Sequence, residues 1–379
     1  MTHHAHQEMV LFDEAYFSSL LDDIKNAKSS IDFETYIFEN DDAGKMLADA
    51  FCEAASRGVK IRILVDGVGT PALSKNIFGC MDKVNIVTKV YHPLPWIITH
   101  WKYSHDKNGS LWQRLINILS NINARDHRKM CIIDQNIVYI GSANISNHLL
   151  DRNGREHVWR ETSVKLTGIN TEKLQYAFER AYNHIAVKKQ LQAAFCKLDP
   201  DPVYRLNYSW RLRHIYYKTM LKRIANCKTR IWVANAYFVP DSKLLRKLIA
   251  ARKKGIDVRI LLPSKTDVFI VSLASKTFYS KLLKLGVSIY EYLPSILHEK
   301  VLIVDDWYLV GSSNLDYRSL KHDLEVDANL QTRDAQAILE KQFMIDIEHS
   351  KKINLGDIAK QSFIQYLLGR IILYVRYWI

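Results

Sequence analysis

The chain of 379 residues is 48% hydrophobic and 25% charged, a globular balance that excludes wholesale disorder and leaves room for two cores. A formal net charge of +13 points to a polyanionic partner, nucleic acid or an anionic membrane surface, and charge alone does not choose between them. Cys52, Cys80, Cys131, Cys196 and Cys227 are odd in number and lack CxxC spacing, which argues against a disulfide framework or a zinc site and fits a reducing compartment.

The N-terminal MTHHAHQEMVLFDEAY has neither the basic region nor the apolar stretch of a secretory signal, and His3, His4 and His6 read as a terminal tail without a role. No uninterrupted apolar run reaches about 18 residues, so no standard membrane-spanning helix is expected. SSIDFETYIFEN reads as a strand, residues 42 to 57 as a helix closed by Gly58, and GVKIRILVDGVG as the next strand. YHPLPWIITHWKYSH and LWQRLINILSNINARD follow, mixing Trp, Tyr, His and basic residues with an apolar helical pattern. This segment is read two ways, as an element among lipid headgroups or as a loop folded on its lobe.

Residues 127 to 134, HRKMCIID, run on into GSAN at 141 to 144. On an extended chain a spacing of two points His127 and Lys129 to one face. Met130 to Ile133 reads as buried strand, Asp134 with its neighbours as turn, and IVYIG as the returning strand of a hairpin. The second half repeats this order: TRIWVANAYFVP, a helix over 241 to 254 closed by Gly255, GIDVRILLPSK, then HEKVLIVD at 298 to 305 and GSSN at 311 to 314. The interval from Gly58 to His127 is 69 residues and that from Gly255 to His298 is 43, so the first copy carries 26 more before its histidine. LDPDPVYR breaks the helical pattern near residue 200, which divides the chain into lobes 1–199 and 200–379. Each is expected to be α/β, a mixed sheet covered by helices. The apolar tail 363–379, FIQYLLGRIILYVRYWI, carries Arg370 and Arg376, which disfavour a span and favour a helix lying in a membrane interface.

Two copies of one half-site imply a shared active site. Facing each other, His127 and His298, Lys129 and Lys300, and the donors Ser142, Asn144, Ser312 and Asn314 would cage an anion whose charge grows in the transition state. One histidine can attack phosphorus while the other protonates the leaving oxygen and then deprotonates an incoming alcohol or water. A carboxylate on the other ring nitrogen would set each tautomer. Glu325, 27 residues after His298, is read as that histidine's partner, and Glu161 as the equivalent in the first lobe, with Glu156 a contender there. Asp134 and Asp305 are included in the site as groups that tie down the turns. No carboxylate cluster offers a cation its oxygen ligands and each lysine would repel one, so neither metal nor cofactor is expected.

These blocks resemble the phospholipase D superfamily, whose hallmark is a duplicated H-x-K-x-x-x-x-D followed by Gly-Ser-x-Asn. Within it, ETYIFEND, NARDHRKMCIID, WRETSVKLTG, ANAYFVP and above all SSNLDYRSL with the glutamate just after it are similar to those of bacterial cardiolipin synthases. The resemblance implies two α-β-α sandwich lobes with the active site at their interface. It also implies metal-free transfer of a phosphatidyl group to phosphatidylglycerol, with His127 as nucleophile and His298 as acid and base. The implied acceptor is phosphatidylglycerol, and the donor is either phosphatidylglycerol or phosphatidylethanolamine, between which the sequence does not choose. The implied place is the cytoplasmic face of the bacterial inner membrane, as a short form without an N-terminal transmembrane pair. Headgroup hydrolysis is the alternative, with nuclease activity behind it; no nucleic-acid partner is expected. The sequence leaves the oligomeric state open.

Overall fold

The computed structural model describes residues 6–70, 75–84, 86–94, 97, 124–151, 158–183, 202–359 and 362–375. His3, His4, Cys196, Glu156, most of the aromatic segment before His127 and the proposed lobe boundary at 199/200 lie outside them. His6 bonds Glu8 at 3.1 Å.

Seven strands build the first sheet: β1 (Gln7–Phe12), β2 (Ser30–Thr35), β3 (Lys60–Asp66), β4 (Val87–Tyr91), β5 (Met130–Ile133), β6 (Ile137–Gly141) and β7 (Thr162–Thr167). Their order is β1-β7-β6-β5-β2-β3-β4. The second sheet holds β8 (Tyr204–Leu206), β9 (Arg230–Asn235), β10 (Asp257–Pro263), β11 (Ser288–Tyr292), β12 (Lys300–Val304), β13 (Trp307–Gly311), β14 (Val326–Leu330) and β15 (Ser350–Lys352). It runs β15-β11-β10-β9-β12-β13-β14-β8, the same plan with one strand added. The β2-β3-β4 and β9-β10-β11 pairs are parallel and the motif hairpins β5-β6 and β12-β13 antiparallel, so both sheets are mixed. The α/β duplication read from the sequence is the fold.

Helices Asp13–Asn26 and Asp42–Ser56 bury their apolar faces against the outside of the first sheet, and Trp210–Asn226 and Ser242–Lys253 do the same on the second. Asp41 and Asp241 start the second helix of each pair by accepting a backbone N–H, Gly44 at 3.0 Å and Leu244 at 2.8 Å. The inner faces of the two sheets share one core, with Val138, Ile140, Val164 and Leu166 on one side and Ile303, Val310, Val326 and Ala328 on the other. Strands buried on both faces explain the continuous apolar runs of both motifs, where alternation would mark an exposed face. Gly141 and Gly311 end the returning strands where a Cβ would lie 2.0 Å from Ser163 Oγ and 2.4 Å from Asp327 Oδ1, so the glycine of each Gly-Ser turn is required by packing.

Among the described residues no helix is long and apolar enough to cross a membrane. The tail forms a helix, Phe363–Ile372, that rests on helix Phe269–Lys276 and leaves most of its apolar side chains exposed.

Candidate active site

Four backbone hydrogen bonds stitch the lobes together beside the motifs. His127 N donates to Leu324 O at 3.0 Å and Leu324 N to Arg125 O at 2.8 Å; His298 N donates to Arg160 O at 2.9 Å and Arg160 N to Ile296 O at 2.8 Å. Each histidine is thereby paired with the residue that precedes the other lobe's glutamate. The consequence corrects the same-lobe pairing: His127 Nδ1 meets Glu325 at 3.1 and 3.2 Å, and His298 Nδ1 meets Glu161 at 2.6 Å. Sequence separation reads along one chain, whereas the bridges bring the partner from across the interface.

Buried charge lies beside this interface, and the Arg160 cluster crosses it. Arg128 clamps Asp126 through two bonds of 2.9 and 2.8 Å and lies 3.1 Å from Glu34. Arg160 reaches Asp346 at 2.9 Å, Asp13 at 3.1 Å and Glu299 at 3.5 Å. The variable residue of each H-x-K, Arg128 or Glu299, thus takes part in the buried charge clusters, while His and Lys share the other face.

Both imidazoles are buried, 8% and 3% exposed, as are both lysines and both glutamates. Burial would raise the Glu161 carboxyl, but His298, Lys300 and the Ser142 hydroxyl outweigh it and hold it at about 2. An ionised Glu161 can only accept, which places the proton of His298 on Nδ1. Burial pushes Glu325 up to about 7 against the pull of Lys129, although Ser312 and Ser319 both donate to it. The first histidine's Nδ1 is also shared with Ser312 O at 3.1 Å. Burial, then Lys129 and Lys300, hold His127 well below its ordinary value. His298 is lowered by burial with Glu161 opposing.

The lysines are poised between charge states. Burial brings Lys129 down to about 7, with Lys300 adding to the effect, and Lys300 down to about 8 with Glu161 opposing. Lys129 Nζ donates to His127 O at 2.7 Å, and Lys300 Nζ lies 2.8 Å from His298 Nε2. Tyr36 packs edge-on to His127, ring centroids 5.0 Å apart, and Tyr237 and Trp159 lie 6.1 and 5.3 Å from the His298 ring. Sequence reading missed these three aromatics and Ser319. The block SSNLDYRSL contains Ser319, but only the fold shows that its hydroxyl serves Glu325.

Several expectations need correction. Ser142 and Ser312 give their hydroxyls to Glu161 and Glu325 and accept from Thr162 N and Val326 N at 3.0 Å, so they hold the glutamates instead of lining an anion cage. Asn144 Oδ1 accepts from Ile37 N at 3.3 Å, and Asn314 keeps a buried Oδ1 without a hydrogen-bond partner. Asp134 and Asp305 are removed from the imidazoles by strands β5 and β12, roughly 13 Å or more. Asp134 accepts from Lys28, Ser29 and Ser30 N at 2.9, 2.7 and 3.0 Å, and Asp305 from the equivalent Lys228, Thr229 and Arg230 N at 2.8, 2.9 and 3.1 Å. They anchor the turns, as the sequence reading has it, and it is their place in the reacting site that is corrected. Asp134→Ala is expected to lower unfolding stability by about 1–3 kcal/mol while turnover at low temperature stays within about threefold. A selective loss of turnover in an equally stable variant would restore Asp134 to the site.

Among the described residues no group of three or more His, Cys, Asp or Glu side chains is arranged to hold a metal ion. The arrangement offers instead two imidazoles, each backed by a carboxylate from the opposite lobe and flanked by an ammonium group. A model of the cardiolipin synthase, PLD-like domain matches residues 20–172 and 220–347. The chain belongs to that family. It is 32% identical over 357 residues to cardiolipin synthase 2 of Bacillus anthracis, covering 91% of this chain and 65% of that protein. It is 30% identical over 365 residues to the cardiolipin synthase of Alkalihalophilus pseudofirmus, covering 93% and 68%. The chain therefore spans about two thirds of the length of these relatives. Among solved structures, the phosphatidylserine synthase of Haemophilus influenzae Rd KW20 superposes with a TM-score of 0.67 at 13% identity, covering 98% of this chain and 95% of that one, a likeness of fold.

Proposed function

We propose that this member of the family moves a phosphatidyl group from one phospholipid to phosphatidylglycerol through a phosphohistidine, producing cardiolipin and a free alcohol. The observation that carries this reading is the pair of crossed dyads, His127 with Glu325 and His298 with Glu161. His127 Nε2 attacks phosphorus, the bond to the headgroup oxygen breaks, and His298, which enters the step as the imidazolium with its Nδ1–H on Glu161, delivers its Nε2 proton to that oxygen. A hydroxyl of phosphatidylglycerol then returns its proton to His298 and attacks phosphorus, releasing His127. The more strongly depressed His127 stays neutral for attack, and the ionised Glu161 supports the imidazolium that His298 is before the first step and after the second. Lys129 and Lys300 hold the phosphoryl oxygens, and the site asks for no metal because an ammonium stands beside each imidazole. Catalytic roles fall to these four residues; Glu161, Glu325, Ser142, Ser312, Ser319, Asn144 and Asn314 position them or the substrate.

The relatives' names and the positive charge support phospholipid substrates and an anionic membrane surface as partner, with the protein peripheral on the cytoplasmic face. Headgroup hydrolysis is disfavoured because both imidazoles are buried away from bulk water. Purified protein on phosphatidylglycerol vesicles in chelator is expected to yield cardiolipin and glycerol in equal amounts. Phosphatidic acid as the sole product would replace transfer by hydrolysis.

A pH dependence follows. Both lysines must be charged to hold the anion and His298, lowered by burial, must enter protonated, so kcat/KM is expected to fall as pH rises, first as His298 loses its proton and further through about 7 to 8, where Lys129 and then Lys300 lose theirs. On the acid side His127 stays neutral below its ordinary value of 6.5, so activity persists there. A kcat/KM that climbs steadily between about pH 7 and 9 would contradict the charged-lysine role.

A further inference from the structure

Helices Phe269–Lys276 and Phe363–Ile372 pack on each other; the first buries Val271, Leu273 and Ala274 and leaves its first turn exposed, and the second buries only Gly369. Phe269 and Ile270 are 63% and 51% exposed, and Phe363, Ile364, Leu367 and Ile371 are 74%, 68%, 49% and 55% exposed. A contiguous patch of this kind marks an interaction surface in a folded protein. The contact is built for closeness: Gly369 is buried, and a Cβ there would lie 2.4 Å from Leu273 O. The two helices therefore act as one unit. Sequence reading pointed to the tail but assigned nothing to residues 269–276, whose eight positions are too few to show a helical stripe.

We infer that this helix pair is a wedge that inserts into the headgroup region of an anionic bilayer and seats the His298 side of the lobe interface on it. The inference rests on the phospholipid reading above and names the surface that delivers the substrate. Charge favours a lipid surface over a second protein: neither helix carries a carboxylate, Arg370 and Lys265 are exposed, and Asp267, the nearby carboxylate, is engaged by the Tyr237 hydroxyl. Continuity with the site favours it too. Val239, Val271 and Ala274 form a small core with Tyr237, Ile372 and Leu373, and the Tyr237 ring lies 6.1 Å from that of His298. Asp267, just before the first helix, accepts from the Tyr237 hydroxyl at 2.5 Å and ties the start of the wedge to that ring. A bilayer resting on the patch brings headgroups to the second histidine without the lipid leaving the interface.

The test uses the full chain and flotation on vesicles of phosphatidylglycerol and phosphatidylethanolamine, with transfer measured separately on a dispersed short-chain phosphatidylglycerol. Phe269→Glu with Ile270→Glu, at two exposed positions, is expected to weaken vesicle binding at least about tenfold while dispersed-substrate turnover stays within about twofold. Gly369→Val, which forces the helices apart, is expected to weaken binding in the same sense. Vesicle binding by the double variant equal to that of the parent overturns the wedge, as does a concentration-dependent dimer that the double variant abolishes while vesicle binding persists. Flotation needs no turnover, so a protein that binds through the wedge but makes no cardiolipin would overturn the proposed reaction and leave the wedge standing.

Discussion

Alanine in place of His127 or His298 is expected to lower phosphatidyl transfer at least about a hundredfold while leaving cooperative unfolding intact. Each imidazole supplies something its counterpart cannot. His127 presents a nitrogen kept neutral by burial and two lysines, whereas His298 faces an ionised glutamate able to support a proton. Lys129→Ala and Lys300→Ala are expected to lose transfer on a similar scale, because one ammonium cannot neutralise the charge that two hold. Near-normal turnover by either histidine variant would end the shared-site account. A Glu325→Gln variant adds a discriminating readout: the amide still holds the ring but cannot support its charge, so Gln should cost less than Ala.

Arg160→Ala is expected to cost about 3–5 kcal/mol of stability, among the largest effects of any single change outside the hydrophobic core. The guanidinium is buried and bonded to Asp346, Asp13 and the Glu161 carbonyl, and it lies near Glu299. Removing it strands carboxylates in the interface. Burial already raises Glu299 to about 7 with Arg160 present to oppose it. A folded carboxyl held above its unfolded value is favoured when protonated, so its contribution falls as pH rises from about 4.5 through the folded value. The defect should therefore be larger at pH 8 than at pH 5. Urea unfolding at the two pH values checks this, and a loss below about 1 kcal/mol at both would mean that the interface does not depend on the cluster.

Much of the fold was legible because it is written in local pattern. Val301 to Val304 and Met130 to Ile133 are apolar without alternation, which marks strands covered on both faces, and Asp134 and Asp305 mark the turns that follow. The duplicated motif announced two half-sites. What local pattern could not carry was the crossing of the dyads, since Glu325 is nearer His298 in sequence but meets His127 through the Leu324 bridge. In sequence the serines read as donors to substrate because their hydrogen-bond partners, Glu161 and Glu325, are 19 and 13 residues away and are pointed at them only by the pairing of β6 with β7 and β13 with β14. Tyr36, Tyr237 and Arg160 belong to the same class: their roles depend on tertiary neighbours that no spacing rule supplies.

Mass spectrometry of the enzyme quenched in mild alkali during turnover on phosphatidylglycerol tests the crossed, two-histidine site most directly. The phosphatidyl group is expected on the His127 peptide, to vanish in His127→Ala, and to persist longer in His298→Ala, whose lost base can no longer activate the incoming alcohol. An adduct on His298 that still forms in His127→Ala, or turnover with no adduct on either histidine, would contradict it.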